Sequence, residues 1–163
     1  MHWYNEIDKR LTTPPGDNLG AFLDMISHSE GTDLYGDEDG YNVIVGGSLF
    51  YDYSDHPRIL VDLPRLGIKS TAAGRYQILS RYYDHYKKQL SLPDFSPASQ
   101  DAIAIQLIKE CKALDDIEAG RIEDAIHKCR SRWASFPASG YGQYEHNADD
   151  LVAYYVQSGG VIA

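Results

Sequence analysis

The carboxyl group best placed for chemistry in this sequence belongs to Glu30. Apolar residues recur at helical spacing over residues 19–26, and Glu30 continues that stripe just before the helix-stopping Gly31. A carboxyl in such a place is partly desolvated, and desolvation raises its pKa toward the range of a general acid. The same pattern also fits a glutamate that only caps or salt-bridges a helix end, so both interpretations stay open on periodicity alone.

Other common kinds of site find little support in the sequence. The six histidines have no pair at three- or four-residue spacing, and Cys111 and Cys129 lie on apolar helical faces, which favours buried free thiols. No Gly-x-Ser-x-Gly elbow or phosphate loop is present, so we expect no metal and no cofactor. A net charge of −9 and a pI of about 5.0 argue against nucleic acid as the main partner.

The elements that must position Glu30 form a predicted α+β domain, mostly helical, with one small antiparallel sheet after the first helix. Residues 1–18 are expected to form an N-terminal arm, because Pro-Pro-Gly blocks a helix there, and residues 19–163 a single domain. The pattern predicts a hairpin across Gly46-Gly47, a short strand at 59–63 and a helix from Gly74. Further helices are predicted from Pro97, from about Ile122 to Trp133, and over about 148–157.

Several long segments then resemble one family. They are AFLDMISHSEGTD, GYNVIVGGSLFYDYSDHPR, KSTAAGRYQILSRYYDHYKKQL, DFSPASQDAIAIQLIKE, WAS and GYGQYEH. Together they resemble the bacteriophage lambda endolysin family of lytic transglycosylases from Ala21 to about Gly160. The resemblance implies a lysozyme-like fold that cleaves peptidoglycan between N-acetylmuramic acid and N-acetylglucosamine and leaves a 1,6-anhydromuramoyl end. It also implies that Glu30 is the catalytic residue, acting first as acid and then as base.

Two other functions stay open beside this one. A hydrolytic muramidase of the T-even phage type uses an aspartate and a threonine besides the glutamate. Alignment at Gly40-Tyr41 puts Asp37 and Val43 in those places, and valine cannot hold a water by hydrogen bonding. A noncatalytic peptidoglycan-binding module shares an aromatic cleft but does not need Glu30.

The resemblance also implies substrate-binding residues in two regions. One is the Gly-x-x-Gln element at Gly74, where the Gln77 amide suits an N-acetyl group, with Ser70, Thr71 and Tyr76 beside it. The other is a Gly-rich loop over residues 138–147, which is expected to be mobile without ligand and to bind sugar rings through Tyr141, Gln143 and Tyr144. Ser70 and Thr71 also suit the simpler role of capping the next helix.

The implied partner is the peptidoglycan glycan strand. No secretory signal is recognised at the start of the sequence, and no apolar run is long enough for a membrane helix. We therefore expect a monomer without membrane insertion that stays in the host cytoplasm until a holin gives access to the wall and periplasm.

Overall fold

The computed structural model describes residues 17–141 and 145–163. Over these residues the chain is α+β, with six helices and a two-stranded antiparallel sheet, as predicted. The helices are α1 (Asp17–Glu30), α2 (Ser80–Leu90), α3 (Pro97–Glu110), α4 (Leu114–Glu118), α5 (Ile122–Cys129) and α6 (Ala148–Gln157), and the strands are β1 (Val61–Leu63) and β2 (Ile68–Ser70).

The chain forms two compact units. One, the helical unit, contains α1 and the chain from residue 104 onward, and the other, the sheet unit, contains residues 31–103. Helix α3 has residues in both units, because the boundary between them follows Ile103. Each unit has its own buried apolar residues.

In the helical unit, α1 packs against α6 and α4 through its buried face. The helix begins at Asp17, two residues before the predicted start of the domain at residue 19. Asn18 fixes this end, because its amide nitrogen donates to the Ile117 carbonyl at 3.1 Å and its amide oxygen accepts from the Val161 N–H at 3.0 Å. The Phe22 ring meets Phe136 edge-on at 6.4 Å, which ties α1 to the chain after α5.

In the sheet unit, the predicted turn at Gly46-Gly47 is present, since the Gly47 N–H donates to Ile44 and the Ile44 N–H to Ser48. The flanking segments, however, form only isolated bridges, Val43 to Leu49 and Ile44 to Ala73. The regular sheet lies later, where Val61 pairs with Ser70 and Leu63 with Ile68. The prediction of a strand at 59–63 is therefore confirmed in its last three residues.

The helix predicted from Gly74 begins six residues later, at Ser80. Residues 74–77 instead form a turn closed by mutual hydrogen bonds between Ala73 and Ile78. Gly74 has a φ of +83°, and a Cβ atom there would lie 2.3 Å from Gln100 Oε1. The turn therefore requires glycine at this position for both space and backbone angle.

The later helices agree better with the boundaries that the sequence predicts. α3 begins at Pro97 and α6 covers the predicted residues, with the Asn147 side chain accepting from the Asp150 N–H at 2.8 Å. α5 ends at Cys129, earlier than the predicted Trp133, and the short α4 was not predicted. Both cysteines are free thiols, Cys129 buried and Cys111 half-buried. Among the described residues, no helix is long and apolar enough to cross a membrane.

Candidate active site

Glu30 is the last residue of α1, as predicted, and its side chain is only partly exposed. Desolvation raises the pKa of its carboxyl to about 7, against a hydrogen bond from Ser135 that lowers it. Burial is thus the larger effect, because an ionised carboxylate loses more hydration than one hydroxyl returns. The carboxyl is close to half protonated at neutral pH, which is the condition that general acid and base catalysis requires.

Ser135 comes from the segment after α5, far from Glu30 in sequence. Its Oγ atom lies 2.7 Å from the Ser29 Oγ atom, and both serines are buried. The Ser135 carbonyl accepts the His146 N–H at 2.9 Å, so the same residue also fixes the point where the loop over residues 138–147 returns. Sequence reasoning did not assign Ser135 a role, although it lies in the WAS segment of the resemblance.

Aromatic rings cover the neighbouring turn of α1. The His28 ring stacks on Tyr154 of α6 with a centroid distance of 4.0 Å and an interplanar angle of 6°. The His146 ring also approaches the His28 ring, with a centroid distance of 5.6 Å. These contacts join the end of α1 to α6 and to the end of the loop over residues 138–147.

The described part of this loop is held by the Glu145 carboxylate. It accepts from the Ala138 N–H at 3.1 Å, the Ser139 hydroxyl at 2.9 Å and the Gly140 N–H at 3.3 Å, and these bonds lower its pKa. The Tyr141 ring is 57% exposed and its hydroxyl donates to the Ser131 carbonyl at 2.6 Å. This leaves the ring available to a ligand. Gln143 and Tyr144 lie outside the described residues.

In the sheet unit, Gln77 is locked by its own backbone turn. Its φ is +53°, and its Nε2 atom donates to the Gly74 carbonyl at 2.9 Å and to the Val43 carbonyl at 3.2 Å. The amide hydrogens are thus used inside the protein, which leaves Oε1 as the group able to accept from a ligand. The amide expected both to donate and to accept is therefore suited only to accepting.

A buried carboxylate on α3 holds the turn that carries Gln77. Asp101 accepts from the Tyr41 hydroxyl at 2.9 Å and from the Tyr76 hydroxyl at 2.5 Å. The Arg75 guanidinium lies over both rings, with its carbon 5.3 Å from the Tyr41 centroid and 5.7 Å from that of Tyr76. Tyr76 is only 1% exposed, and this burial corrects the expectation that its side chain contacts sugar. Its place in the turn is structural.

Ser70 and Thr71 both bond to backbone N–H groups. Ser70 Oγ accepts from the Ala72 N–H at 3.1 Å, and Thr71 Oγ1 accepts from the Ser80 N–H at 3.0 Å, which caps the first turn of α2. The capping role considered from the sequence is thus present in Thr71. In both bonds the hydroxyl oxygen is the acceptor, so its proton is still able to donate.

Two acidic residues of the sheet unit, Asp37 and Glu38, are engaged with neighbouring side chains. Asp37 accepts from the Asn42 amide at 2.9 Å and from the Tyr51 hydroxyl at 3.4 Å, and Glu38 accepts from the Tyr53 hydroxyl. Val43 is buried. Over the described residues, no group of three histidine, cysteine or acidic side chains is arranged to hold a metal ion.

Known proteins match the chain over nearly its whole length. A sequence model of the Endolysin family matches residues 20–162. The endolysin of Escherichia phage lambda is 58% identical over 146 residues, covering 87% of this chain and 91% of that protein. The endolysin of Escherichia phage P2 is 54% identical over 157 residues, covering 90% and 95%.

Solved structures of lambda lysozyme match this chain in fold. A structure of bacteriophage lambda lysozyme complexed with a chitohexasaccharide superimposes with a TM-score of 0.90 at 53% identity, covering 93% of this chain and 100% of that one. A second lambda lysozyme structure gives a TM-score of 0.85. Fold and sequence together define a cell-wall-degrading enzyme of the lysozyme-like class. Within that class, the chain belongs to the endolysin family, and its similarity is to the endolysins of phages lambda and P2.

Proposed function

We propose that this endolysin cleaves the β-1,4 bond between N-acetylmuramic acid and N-acetylglucosamine in peptidoglycan and leaves a 1,6-anhydromuramoyl end. The observation that carries the proposal is the Glu30 carboxyl, whose pKa is raised to about 7 by desolvation at the end of α1. A carboxyl with this pKa is available as acid and as base at the same pH. A binding module has no use for such a group.

In the proposed reaction, protonated Glu30 gives its proton to the glycosidic oxygen, and the bond from that oxygen to the anomeric carbon of the muramic residue breaks. The N-acetylglucosamine side leaves with a free hydroxyl. The Glu30 carboxylate then takes the proton of the muramic 6-hydroxyl while O6 bonds to the anomeric carbon. Glu30 ends protonated, and no water is consumed. Because the nucleophile belongs to the bound sugar, its effective molarity favours it over water.

Contacts in the sheet unit support this reaction over hydrolysis. A hydrolytic enzyme needs a second group to hold or activate water. Both Asp37 oxygens accept bonds from protein groups, Oδ1 from Asn42 and Oδ2 from Tyr51, and Val43 has no polar atom in its side chain. Val43, which aligns with the threonine of the T-even type, therefore cannot hold a water by hydrogen bonding.

The proposed sugar contacts involve four side chains. Gln77 accepts the N–H of an N-acetyl group at Oε1, the Ser70 and Thr71 hydroxyls donate to sugar hydroxyls, and the Tyr141 ring covers an apolar sugar face. Gln143 and Tyr144 stay predictions. The chitohexasaccharide bound by lambda lysozyme supports a glycan strand as the ligand.

Similarity to phage endolysins also supports the proposal that the enzyme waits in the host cytoplasm until a holin gives access to the wall.

The role of Glu30 is tested by comparing Glu30→Gln with Asp37→Asn in lysis of permeabilised Gram-negative cells. Glu30→Gln keeps the shape but removes the titrating proton, so we expect the lytic rate to fall by about 10² to 10⁴. Asp37→Asn is expected to keep most of the rate. A lytic Glu30→Gln enzyme overturns the acid–base role, and an inactive but folded Asp37→Asn enzyme points to hydrolysis instead.

A further inference from the structure

The turn that carries Gln77 is held from two sides at the backbone of Arg75. The buried Gln100 side chain of α3 accepts the Arg75 N–H at its Oε1 atom, at 2.9 Å. The buried Thr32 hydroxyl donates to the Arg75 carbonyl at 2.7 Å. A backbone N–H only donates and a carbonyl only accepts, so each bond has one possible direction. Together they fix the two peptide planes on either side of the Arg75 Cα atom.

Both side chains that hold Arg75 are themselves closely fixed. The Gln100 Nε2 atom donates to the Tyr41 carbonyl at 3.1 Å and to the Phe95 carbonyl at 3.0 Å, which also assigns the orientation of the amide. The Thr32 backbone passes so near Gly40 that a Cβ atom there would lie 2.8 Å from the Thr32 carbonyl oxygen. The hydroxyl and the amide oxygen therefore meet Arg75 from rigid positions.

The backbone conformation of Gln77 shows what these bonds support. Its φ of +53° is left-handed, and a residue other than glycine keeps such a conformation only where the surrounding structure determines it. The Gln77 N–H donates to the Gly74 carbonyl at 3.2 Å, so Gly74 and Gln77 are the two ends of one turn. The chain between these ends takes its direction from the two peptide planes at Arg75.

We propose that Thr32, acting with Gln100, is a positioning residue for substrate recognition. By fixing the Arg75 backbone, the Thr32 hydroxyl holds Gln77 in the conformation that leaves its Oε1 atom able to accept the N–H of an N-acetyl group. Sequence reasoning gave Thr32 no role, although it lies in the same resembling segment as Glu30. The inference rests on the proposed contact between Gln77 and the glycan, and it adds a residue that acts only through Gln77.

Isothermal titration calorimetry with a chitooligosaccharide tests this role in the native chain, Thr32→Val and Thr32→Ser. Valine has the shape of threonine without the hydroxyl, so the Arg75 carbonyl loses its donor. We expect binding to weaken about fivefold, which is less than the loss expected for Gln77→Leu. Thr32→Ser keeps a hydroxyl and should bind within about twofold of the native chain. Ser99→Ala removes another buried hydroxyl of the sheet unit, one that donates to Asp94, and as the matched control should bind like the native chain.

A double-mutant cycle separates positioning from a general loss of structure. In a chain that already carries Gln77→Leu, Thr32→Val should cost no further affinity, because the side chain through which it acts is gone. Native affinity in Thr32→Val overturns the inference, as does an equal loss of affinity with and without Gln77→Leu. If Gln77→Leu alone binds like the native chain, the proposed Gln77 contact fails as well. If Gln77→Leu weakens binding and Thr32→Val does not, only the positioning role of Thr32 fails.

Carbon-13 NMR of Gln77 gives a second readout without ligand, because its Cα and Cβ shifts depend on the backbone angles. Thr32→Val should move these shifts, whereas Thr32→Ser and Ser99→Ala should not, with circular dichroism confirming that each variant is folded. If Thr32→Val does not fold, Thr32→Ala takes its place with the same expected results, since its smaller side chain leaves room for water at the Arg75 carbonyl. Unmoved Gln77 shifts in the folded variant would also overturn the inference.

Discussion

Two carboxyl groups, Glu30 at the end of α1 and Asp101 on α3, have different partners. At the end of α1, Glu30 is a carboxyl with a hydroxyl partner and a pKa raised to about 7. In the sheet unit, the Asp101 carboxylate accepts from two tyrosine hydroxyls beneath the Arg75 guanidinium. The first carboxyl has a raised pKa and one hydroxyl partner, whereas the second accepts two hydroxyl bonds that hold a turn. The comparison indicates that the groups around a carboxyl, and not its burial alone, decide its role.

Removal of the structural carboxylate should have the largest effect on folding. Asp101→Ala leaves the Tyr41 and Tyr76 hydroxyls without this acceptor, and we expect a loss of about 3 to 5 kcal/mol in unfolding free energy. Urea denaturation measures it. Asp62→Ala, at an exposed position of β1, is the control and should change the value by less than about 1 kcal/mol. A small effect of Asp101→Ala would show that the turn does not depend on this anion.

Removal of the Glu30 carboxyl should instead stabilise the protein. The pKa of Glu30 is raised from 4.5 to about 7 on folding, so the folded chain holds the proton more tightly and loses stability as pH rises through this interval. Glu30→Gln does not lose stability in this interval, because glutamine does not titrate. Its unfolding free energy should equal the native value below about pH 4 and exceed it by about 3 kcal/mol above about pH 7. Glu118→Gln, an exposed control, should show no such divergence, and parallel curves for Glu30→Gln would contradict the raised pKa.

The sequence predicted the helices better than the sheet unit, for local reasons. Ser96-Pro97 and Asn147 mark helix starts by their own chemistry, and α3 and α6 begin where those residues indicate. The turn before α2 was predicted as helix because the apolar helical face from Ile78 to Leu90 was extended back to Gly74. Its actual form depends on the bridge between Ala73 and Ile78 and on the positive φ of Gln77, which no local pattern signals.

Some residues of the candidate site were also predictable from the sequence and others were not. Glu30 was predicted as the catalytic residue because periodicity and resemblance agree on it. Ser135 and Asp101 were missed because their partners lie far away in sequence: Ser29 is 106 residues from Ser135, and Tyr41 is 60 residues from Asp101. Tyr76 was assigned to substrate because it lies in the Gly-x-x-Gln element, and its burial against Asp101 was not visible in the sequence.

Gln77 should affect ligand binding more than folding. Gln77→Leu removes the Oε1 acceptor proposed for the N-acetyl group, and we expect about a tenfold weaker binding of a chitooligosaccharide, equivalent to one hydrogen bond. Isothermal titration calorimetry measures the affinity. Gln106→Leu, which removes a glutamine from the helical unit, is the comparison and should bind like the native protein. Native affinity in Gln77→Leu would remove Gln77 from the proposed contacts.

The smallest effect is expected at the loop over residues 138–147. Glu145→Gln weakens the bonds to the Ala138 and Gly140 N–H groups, and hydrogen exchange in this loop should rise several-fold. The pKa of Glu145 is lowered, so in the native chain the loop contacts persist above about pH 4.5 and are lost as pH falls through the lowered pKa. Chitooligosaccharide should slow exchange in both proteins by ordering the loop. Equal exchange in the native chain with and without the sugar would contradict a role of the loop in binding.

The most direct test of the central claim is mass spectrometry of muropeptides released in water enriched in oxygen-18. If Glu30 acts as acid and then base on the muramic 6-hydroxyl, the products carry no label, end in 1,6-anhydromuramic acid and do not react with borohydride. A hydrolytic enzyme adds one water, about 18 Da in ordinary water, and leaves a labelled reducing end that borohydride converts to muramitol. Labelled, borohydride-sensitive muramic ends as the main product would contradict the transglycosylase proposal and make Asp37 the next residue to change.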